Sequence, residues 1–217
     1  MNLILYAHPF SSYCQKALVA LYENDVAFDY RSLTDAAARN ELAALWPLQR
    51  FPLLVDGGRV IFEATCIIEY VDRRHAGRQR LIPADAEAAI EVRMLDRFFD
   101  NYVSTPQQKI VYAALRPADQ RDPHGVAEAR ARLDQAYAWL ERHLAGREWA
   151  AGTEFSLADC AAAPFLFYAD WTHAIDRAHA QVIAYRQRLL ARASFARCVD
   201  EARPFRAGFP LGAPDRD

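Results

Sequence analysis

The sequence predicts a mixed α/β unit over about residues 1–78 followed by an all-α unit over 86–217, with 79–85 as a short linker. Three features carry that expectation. Residues 1 to 62 alternate short apolar strands with helical stretches. From 86 to 202 no period-2 alternation is long enough for a strand. Between them runs a polar stretch containing Gly77 and Pro83. The 217 residues suit one large domain or two small ones, at roughly 150 residues per domain.

Asn2 to Tyr6 reads as a short apolar strand, and Ser11-Ser12 then opens a helix in which Ala17, Leu18, Leu21 and Tyr22 recur at helical spacing. Ala27 to Ser32 alternates, with Phe28 and Tyr30 set against Asp29 and Arg31, as a half-buried strand does. Asp35 to Trp46 is Ala-rich and helical. Pro52 to Val55 and Arg59 to Phe62 flank Asp56-Gly57-Gly58 and form a predicted hairpin. A helix from Glu63 to His75 follows, with Ile67, Ile68, Tyr70 and Val71 on its inner side.

Long helical stretches are predicted at Ala86 to Leu115, Pro123 to Leu144 and Ser156 to Trp171, with shorter ones near 179–191 and 194–202. In the second, Val126, Arg130, Leu133, Tyr137, Leu140 and Leu144 advance by four or three residues and paint one face. Ser156-Leu157-Ala158-Asp159, preceded by Phe155, has capping-box spacing and reads as a helix start.

Composition narrows the function. A net charge of −2 with 53% hydrophobic residues excludes a disordered chain and a broad basic surface for nucleic acid. The longest apolar run, Cys160 to Ala169, holds Pro164 and is too short to span a bilayer. The N-terminal stretch lacks the features of a signal peptide, so the expected location is the cytoplasm. Cysteines at 14, 66, 160 and 198 make neither a metal set nor a disulfide framework and read as reduced thiols. All eight glycines lie at 57 or later, so no glycine-rich phosphate loop follows the first strand. The six histidines form no H-E-x-x-H, and no metal site is expected.

Three stretches could carry chemistry. His8-Pro9-Phe10-Ser11-Ser12-Tyr13-Cys14-Gln15-Lys16 joins the first strand to the first helix, where backbone N–H groups and the helix dipole favour an anion. A plain capping role fits the same residues, with Ser11 or Ser12 as cap and Ser12 with Gln15 as a box. Ser11-x-x-Cys14 also echoes a redox C-x-x-C with its first cysteine replaced, although a thiol at Cys14 fits buried packing. In Arg50-Phe51-Pro52-Leu53, a proline opening a strand calls for an edge or a cis bond, which would leave the Phe51 backbone open to a peptide-like ligand. Phe62-Glu63-Ala64-Thr65 brings an acid and a hydroxyl to a second helix N-terminus.

In this order these features resemble the cytosolic glutathione transferase family, in particular bacterial members with a serine-type active site. The resemblance runs from Leu3 to about Arg203. It implies a thioredoxin-like N-terminal domain that binds glutathione as co-substrate and an all-helical C-terminal domain that holds a small-molecule electrophile. It also implies a homodimer and a role in detoxification. Ser11, five residues before Lys16, takes the thiol-activating position; in the branches that use cysteine, that residue fills the same position, so Cys14 is not its equivalent. Phe51, before Pro52, would pair with the cysteinyl unit, Arg50 would approach the glycine end, and Glu63 would meet the γ-glutamyl end. Ala64 replaces the family's usual serine, and Thr65 is expected to supply a hydroxyl in its place. Trp46-Pro47-Leu48-Gln49 replaces the usual Asn-Pro-x-Gly. The expected electrophile pocket is Phe10, Phe98, Tyr102 and Tyr112, for which core packing is the competing reading. A glutathione-dependent thiol reductase or isomerase, or a non-catalytic binding protein on the same fold, are the alternatives.

Overall fold

Leu3, Leu5, Tyr6 and Ala7 leave almost no surface exposed, and this run forms strand β1 (Leu3–Ala7) in a computed structural model that describes residues 3–75 and 77–217. The expected strand start at Asn2, like Met1 and Ala76 of the expected 1–78 unit, lies outside the described residues. β1 pairs in parallel with β2 (Asp29–Ser32) and antiparallel with β3 (Leu53–Asp56), which pairs antiparallel with β4 (Arg59–Phe62). The sheet order is β2-β1-β3-β4. The hairpin turns at Gly57 and Gly58, both at positive φ (56° and 87°), as a two-residue turn of the required twist demands.

The register explains why β1 reads as continuously apolar. Leu5 faces Leu54 across the ladder and joins the main core with helices α1 (Ser12–Glu23) and α3 (Ala64–Arg74), whereas Tyr6 faces Leu53 and packs with Leu33, Ala38 and Leu42. The second set belongs to the α2 side of the sheet (α2, Ala36–Leu45). A strand covered on both faces has no polar side to show.

The second half is helical throughout its regular structure: α4 (Ala86–Phe98), α5 (Thr105–Leu115), α6 (Pro123–His143), α7 (Leu157–Thr172), α8 (Ala180–Leu190) and α9 (Ala193–Ala202), then a short 3-10 segment, Arg203–Gly208. Every α7 residue from Leu157 to Trp171 is buried, which makes it the central helix. Its start is fixed by Asp159, which accepts from Ser156 N and Oγ (both 2.9 Å), Ala150 N (2.8 Å) and the Tyr185 hydroxyl (2.5 Å). On α6 the expected face is kept at Leu133, Tyr137 and Leu140, but the Arg130 side is exposed and Ala129 takes the buried place, as charge requires.

The single helix expected over Ala86 to Leu115 is broken by a π-helical turn, Phe99–Ser104. Pro106 has no N–H for the ladder, and the Thr105 hydroxyl and N–H both turn to the Asp100 carbonyl. Helix α1 packs against α3, α7 and α9 and shares one core with Leu3, Leu5 and Leu54 of the sheet, so Cys14 through Leu21 are all buried. The fold is therefore a thioredoxin-like N-terminal domain on an all-helical C-terminal domain, joined through one core.

Candidate functional site

The N-terminus of α1 is built by a tight turn in which Ser11 N donates to the His8 carbonyl (3.0 Å) and Phe10 N to His8 Nδ1 (3.1 Å). Ser11, not Ser12, caps the helix, with its Oγ accepting from Cys14 N at a long 3.4 Å. The Ser12–Gln15 box does not form, because the Gln15 amide reaches the Pro9 carbonyl (2.9 Å) and the Tyr168 hydroxyl (3.0 Å). No acid stands in the first turn of α1, so nothing on that turn neutralises the positive end of the helix.

Ser11 lines a cavity of about 340 Å³ together with Arg50, Phe51, Pro52, Glu63 and Ala64, so six residues singled out from sequence meet at one place. The Phe51–Pro52 bond is cis. Neither the Arg50 guanidinium nor the Glu63 carboxylate has a hydrogen-bond or ion-pair partner among the described residues, and the first-turn N–H groups of α3 directly follow Glu63 in the chain. Glu63 takes φ 69°, a left-handed value that a non-glycine residue holds at a cost of about 1–3 kcal/mol and that recurs at ligand sites. An unpaired cation, an unpaired carboxylate and a helix N-terminus together suit a ligand that carries charges of both signs.

Gln49 also takes positive φ (51°), so the loop keeps the conformation that favours glycine without having one. Trp46, at the start of that loop, stacks on Phe62 with centroids 4.4 Å apart. Both rings wall the same cavity.

Ser11 also lines a second cavity of about 250 Å³ with Phe10, Tyr112, Tyr168 and Phe209. Gln108 and Tyr112, one turn apart on α5, border both cavities. Phe98 and Tyr102 do not reach either. They line a separate surface cavity with Trp139, which corrects the expected electrophile pocket. In an unbroken helix Phe98 and Tyr112 would share a face, but the extra residue of a π turn rotates the helix beyond it by about 100°.

Thr65 is a second correction. Its hydroxyl donates to Asp96 Oδ2 (2.9 Å) and accepts from Lys16 Nζ (2.9 Å) and from Arg97, so it is turned inward and cannot serve the cavity. Local sequence gave no sign of Tyr13, Gln108, Tyr168 or Phe209 at the site, because each arrives through tertiary packing. Tyr13 packs edge-on against Phe165 at 4.9 Å, which a reading of one helix alone could not anticipate.

Cys14 is fully buried behind Ser11, and its Sγ accepts from His8 N at 3.4 Å. Burial pushes its thiol up to about 12, against a small opposing pull from Ser11 and His8. A thiol so placed carries negligible thiolate at neutral pH.

Residues 5–79 match the family described as glutathione S-transferase, N-terminal domain, and residues 123–210 match glutathione S-transferase, C-terminal domain. The chain is 30% identical over 178 residues to glutathione S-transferase F10 of Arabidopsis thaliana, covering 77% of this chain and 81% of the relative. It is 25% identical over 201 residues to a stringent starvation protein A homolog of Coxiella burnetii, covering 91% of each. Its fold matches the crystal structure of a glutathione S-transferase from Methylobacillus flagellatus KT with GSH bound at a TM-score of 0.82 and 24% identity, over 91% of this chain and 98% of that one. With both of its halves matched in order, the chain belongs to the glutathione S-transferase family.

Proposed function

We propose that the protein is a serine-type glutathione transferase that joins the glutathione thiolate to an electrophilic small molecule. The observation that carries this reading is the meeting of Ser11, Phe51 and Glu63 around one cavity, with an uncharged second cavity sharing Ser11. In this reading the Phe51 backbone pairs with the cysteinyl unit, Arg50 meets the glycine carboxylate, Glu63 meets the γ-glutamyl ammonium, and the α3 N-terminus with Ala64 meets the γ-glutamyl carboxylate. Ser11 donates a hydrogen bond to the sulfur and so favours the thiolate, the thiol proton passing to solvent. The sulfur attacks the electrophilic carbon, a C–S bond forms, and the leaving group departs with its bonding pair; in an addition, that pair takes a proton from water. Residues 1–78 bind glutathione, 79–85 link, and 86–217 supply the electrophile's cavity, at Phe10 and Tyr112. The expected setting is detoxification in the cytoplasm.

Titration calorimetry with glutathione tests the reading, and absence of binding overturns it. A non-catalytic binding role, which the stringent starvation relative brings to mind, predicts glutathione binding or none but no conjugation across a panel of aryl halides, epoxides and peroxides. The buried, high-pKa thiol of Cys14 weighs against the thiol-reductase alternative.

Because Thr65 is held by Lys16, Asp96 and Arg97, the hydroxyl missing at Ala64 is not made good by its neighbour. Ala64→Ser should therefore tighten glutathione binding by a few-fold, given about 0.5–1.5 kcal/mol for a hydrogen bond. Unchanged affinity in calorimetry would place the γ-glutamyl carboxylate elsewhere.

The reading includes a homodimer. Ile90, Met94 and Tyr102, exposed by 58%, 59% and 61%, form an apolar stripe along α4 and the π turn beside Phe98 and Trp139. Sedimentation should give twice the 24.6 kDa chain mass, and Met94→Glu should shift the protein toward monomer.

A further inference from the structure

The cavity of about 250 Å³ beside Ser11 is closed on one side by the chain that follows the last helix, through Gly208, Phe209 and Pro210. Phe209 is the main wall. It is 7% exposed, and its ring lies 5.5 Å from Trp171, 6.3 Å from Phe10 and 6.5 Å from Tyr168. A turn fixes it locally, with Phe209 N donating to the Arg206 carbonyl (3.0 Å) and Gly212 N to the Phe209 carbonyl (2.9 Å).

Beyond the turn the tail is tied down by charge. Arg216 donates to the Asp170 carboxylate and, at 3.4 Å, to the Asp170 carbonyl. Asp217 accepts from Arg203 (2.5 Å) and Arg206 (3.0 Å), and Arg206 also reaches the Arg216 carbonyl at 2.7 Å. The anchor itself is buried: Asp170, near the end of α7, is 6% exposed, pairs with Arg186 at 3.3 Å and accepts from Ile175 N at 3.0 Å. Arg216, its partner in the segment, is half-exposed.

No residue lining this cavity is charged, and its volume falls below the roughly 300–1,000 Å³ of pockets for drug-sized ligands. An ionic substituent entering it would find no counter-charge on its walls. We propose that the segment 209–217 is the specificity wall of the electrophile site: Phe209 restricts the site to compact, uncharged, apolar electrophiles, and the Arg216–Asp170 pair is the latch that holds Phe209 in place. This inference rests on the glutathione reading above.

Thioethers of glutathione test it without requiring turnover. Calorimetry with S-methylglutathione reports the polar cavity alone, and S-(1-naphthylmethyl)glutathione adds a bulky apolar group. The wild type should bind the naphthylmethyl ligand no more tightly than the methyl one. Phe209→Ala should tighten the naphthylmethyl ligand at least about tenfold and leave S-methylglutathione within about twofold. Arg216→Ala, which alters no lining residue, should act in the same direction by about threefold. The inference is overturned if both variants leave the naphthylmethyl affinity within about twofold while S-methylglutathione binds normally. Failure of S-methylglutathione to bind the wild type overturns the glutathione reading itself, and this inference with it.

Discussion

Ser11→Ala should lower kcat/KM for conjugation about tenfold to a hundredfold and move the ionisation of bound glutathione to higher pH. A free thiol titrates near 8.5, and bringing it to about 6.5 takes roughly 2.7 kcal/mol of preference for the anion. A hydrogen bond to a charged group supplies about 1.5–3 kcal/mol, and a helix N-terminus up to about 2 in a partly buried site. The structure offers both at one place: a hydroxyl at the head of a helix whose first turn carries no acid. Losing the hydroxyl removes a donor to the thiolate, so the thiol's pKa must rise, and less thiolate is present at neutral pH. The same change removes a cap, which elsewhere costs about 0.5–2 kcal/mol of stability. Here the cap bond is 3.4 Å long, so the cost should sit at the low end and the variant should remain folded. A thermal melt run beside the pH–rate profile separates the two effects. An unchanged pH–rate profile in a folded variant would reject Ser11 as the thiol activator.

The features legible in the sequence are those that depend on short spacings. The strand-turn-helix at Ser11, the hairpin around Gly57-Gly58, and the Ser156–Asp159 helix start each need only three to five neighbouring residues, and each forms as expected. The cavity residues Arg50, Phe51, Glu63 and Ala64 are legible for the same reason, since each sits where one element ends and the next begins. The aromatic residues of α4 and α5 are not. Their composition suits a pocket, but a π turn that begins just after Phe98 and contains Tyr102 leaves these two on one side and Gln108 and Tyr112 on the other. Nothing in the local pattern marks that turn except Pro106. Phe209, nearly 200 residues from Ser11 along the chain, is invisible because a tail has no periodicity to betray its packing. Lys16 serves in the sequence only as a counting mark for Ser11, and its place in the structure gives it a larger role.

Lys16→Met should destabilise the fold by about 3–5 kcal/mol, because it removes one partner from a buried group of charges. Lys16 is fully buried, with Nζ 2.6 Å from Asp96 Oδ1, 2.8 Å from Asp100 Oδ1 and 2.9 Å from Thr65 Oγ1. Arg97 pairs with both carboxylates from the solvent side and is half-exposed. Two cations therefore face two carboxylates, and the cluster ties α1, α3 and α4 together where the two domains meet. With methionine in place, two buried carboxylates share one guanidinium. For a chain of this size the loss corresponds to a fall in Tm of about 6–20 °C. The deficit should depend on pH with a definite sign. Burial holds the Asp100 carboxyl above its ordinary range, while Lys16 and Arg97 pull it down, so removing Lys16 lets it rise further. A carboxyl whose folded pKa is raised favours the protonated folded state, and that stability is lost as pH climbs from the ordinary value of 3.8 through the raised one. The variant should accordingly recover part of its deficit at about pH 5 relative to about pH 8, and Lys16→Met combined with Asp100→Asn should recover more at neutral pH. Thr65 lies in the same cluster and next to Ala64, so at temperatures where the variant stays folded its glutathione affinity should also fall. Chemical denaturation at the two pH values decides the matter: a loss of under about 1 kcal/mol, or one that does not shrink on acidification, would mean that Arg97 alone compensates both carboxylates.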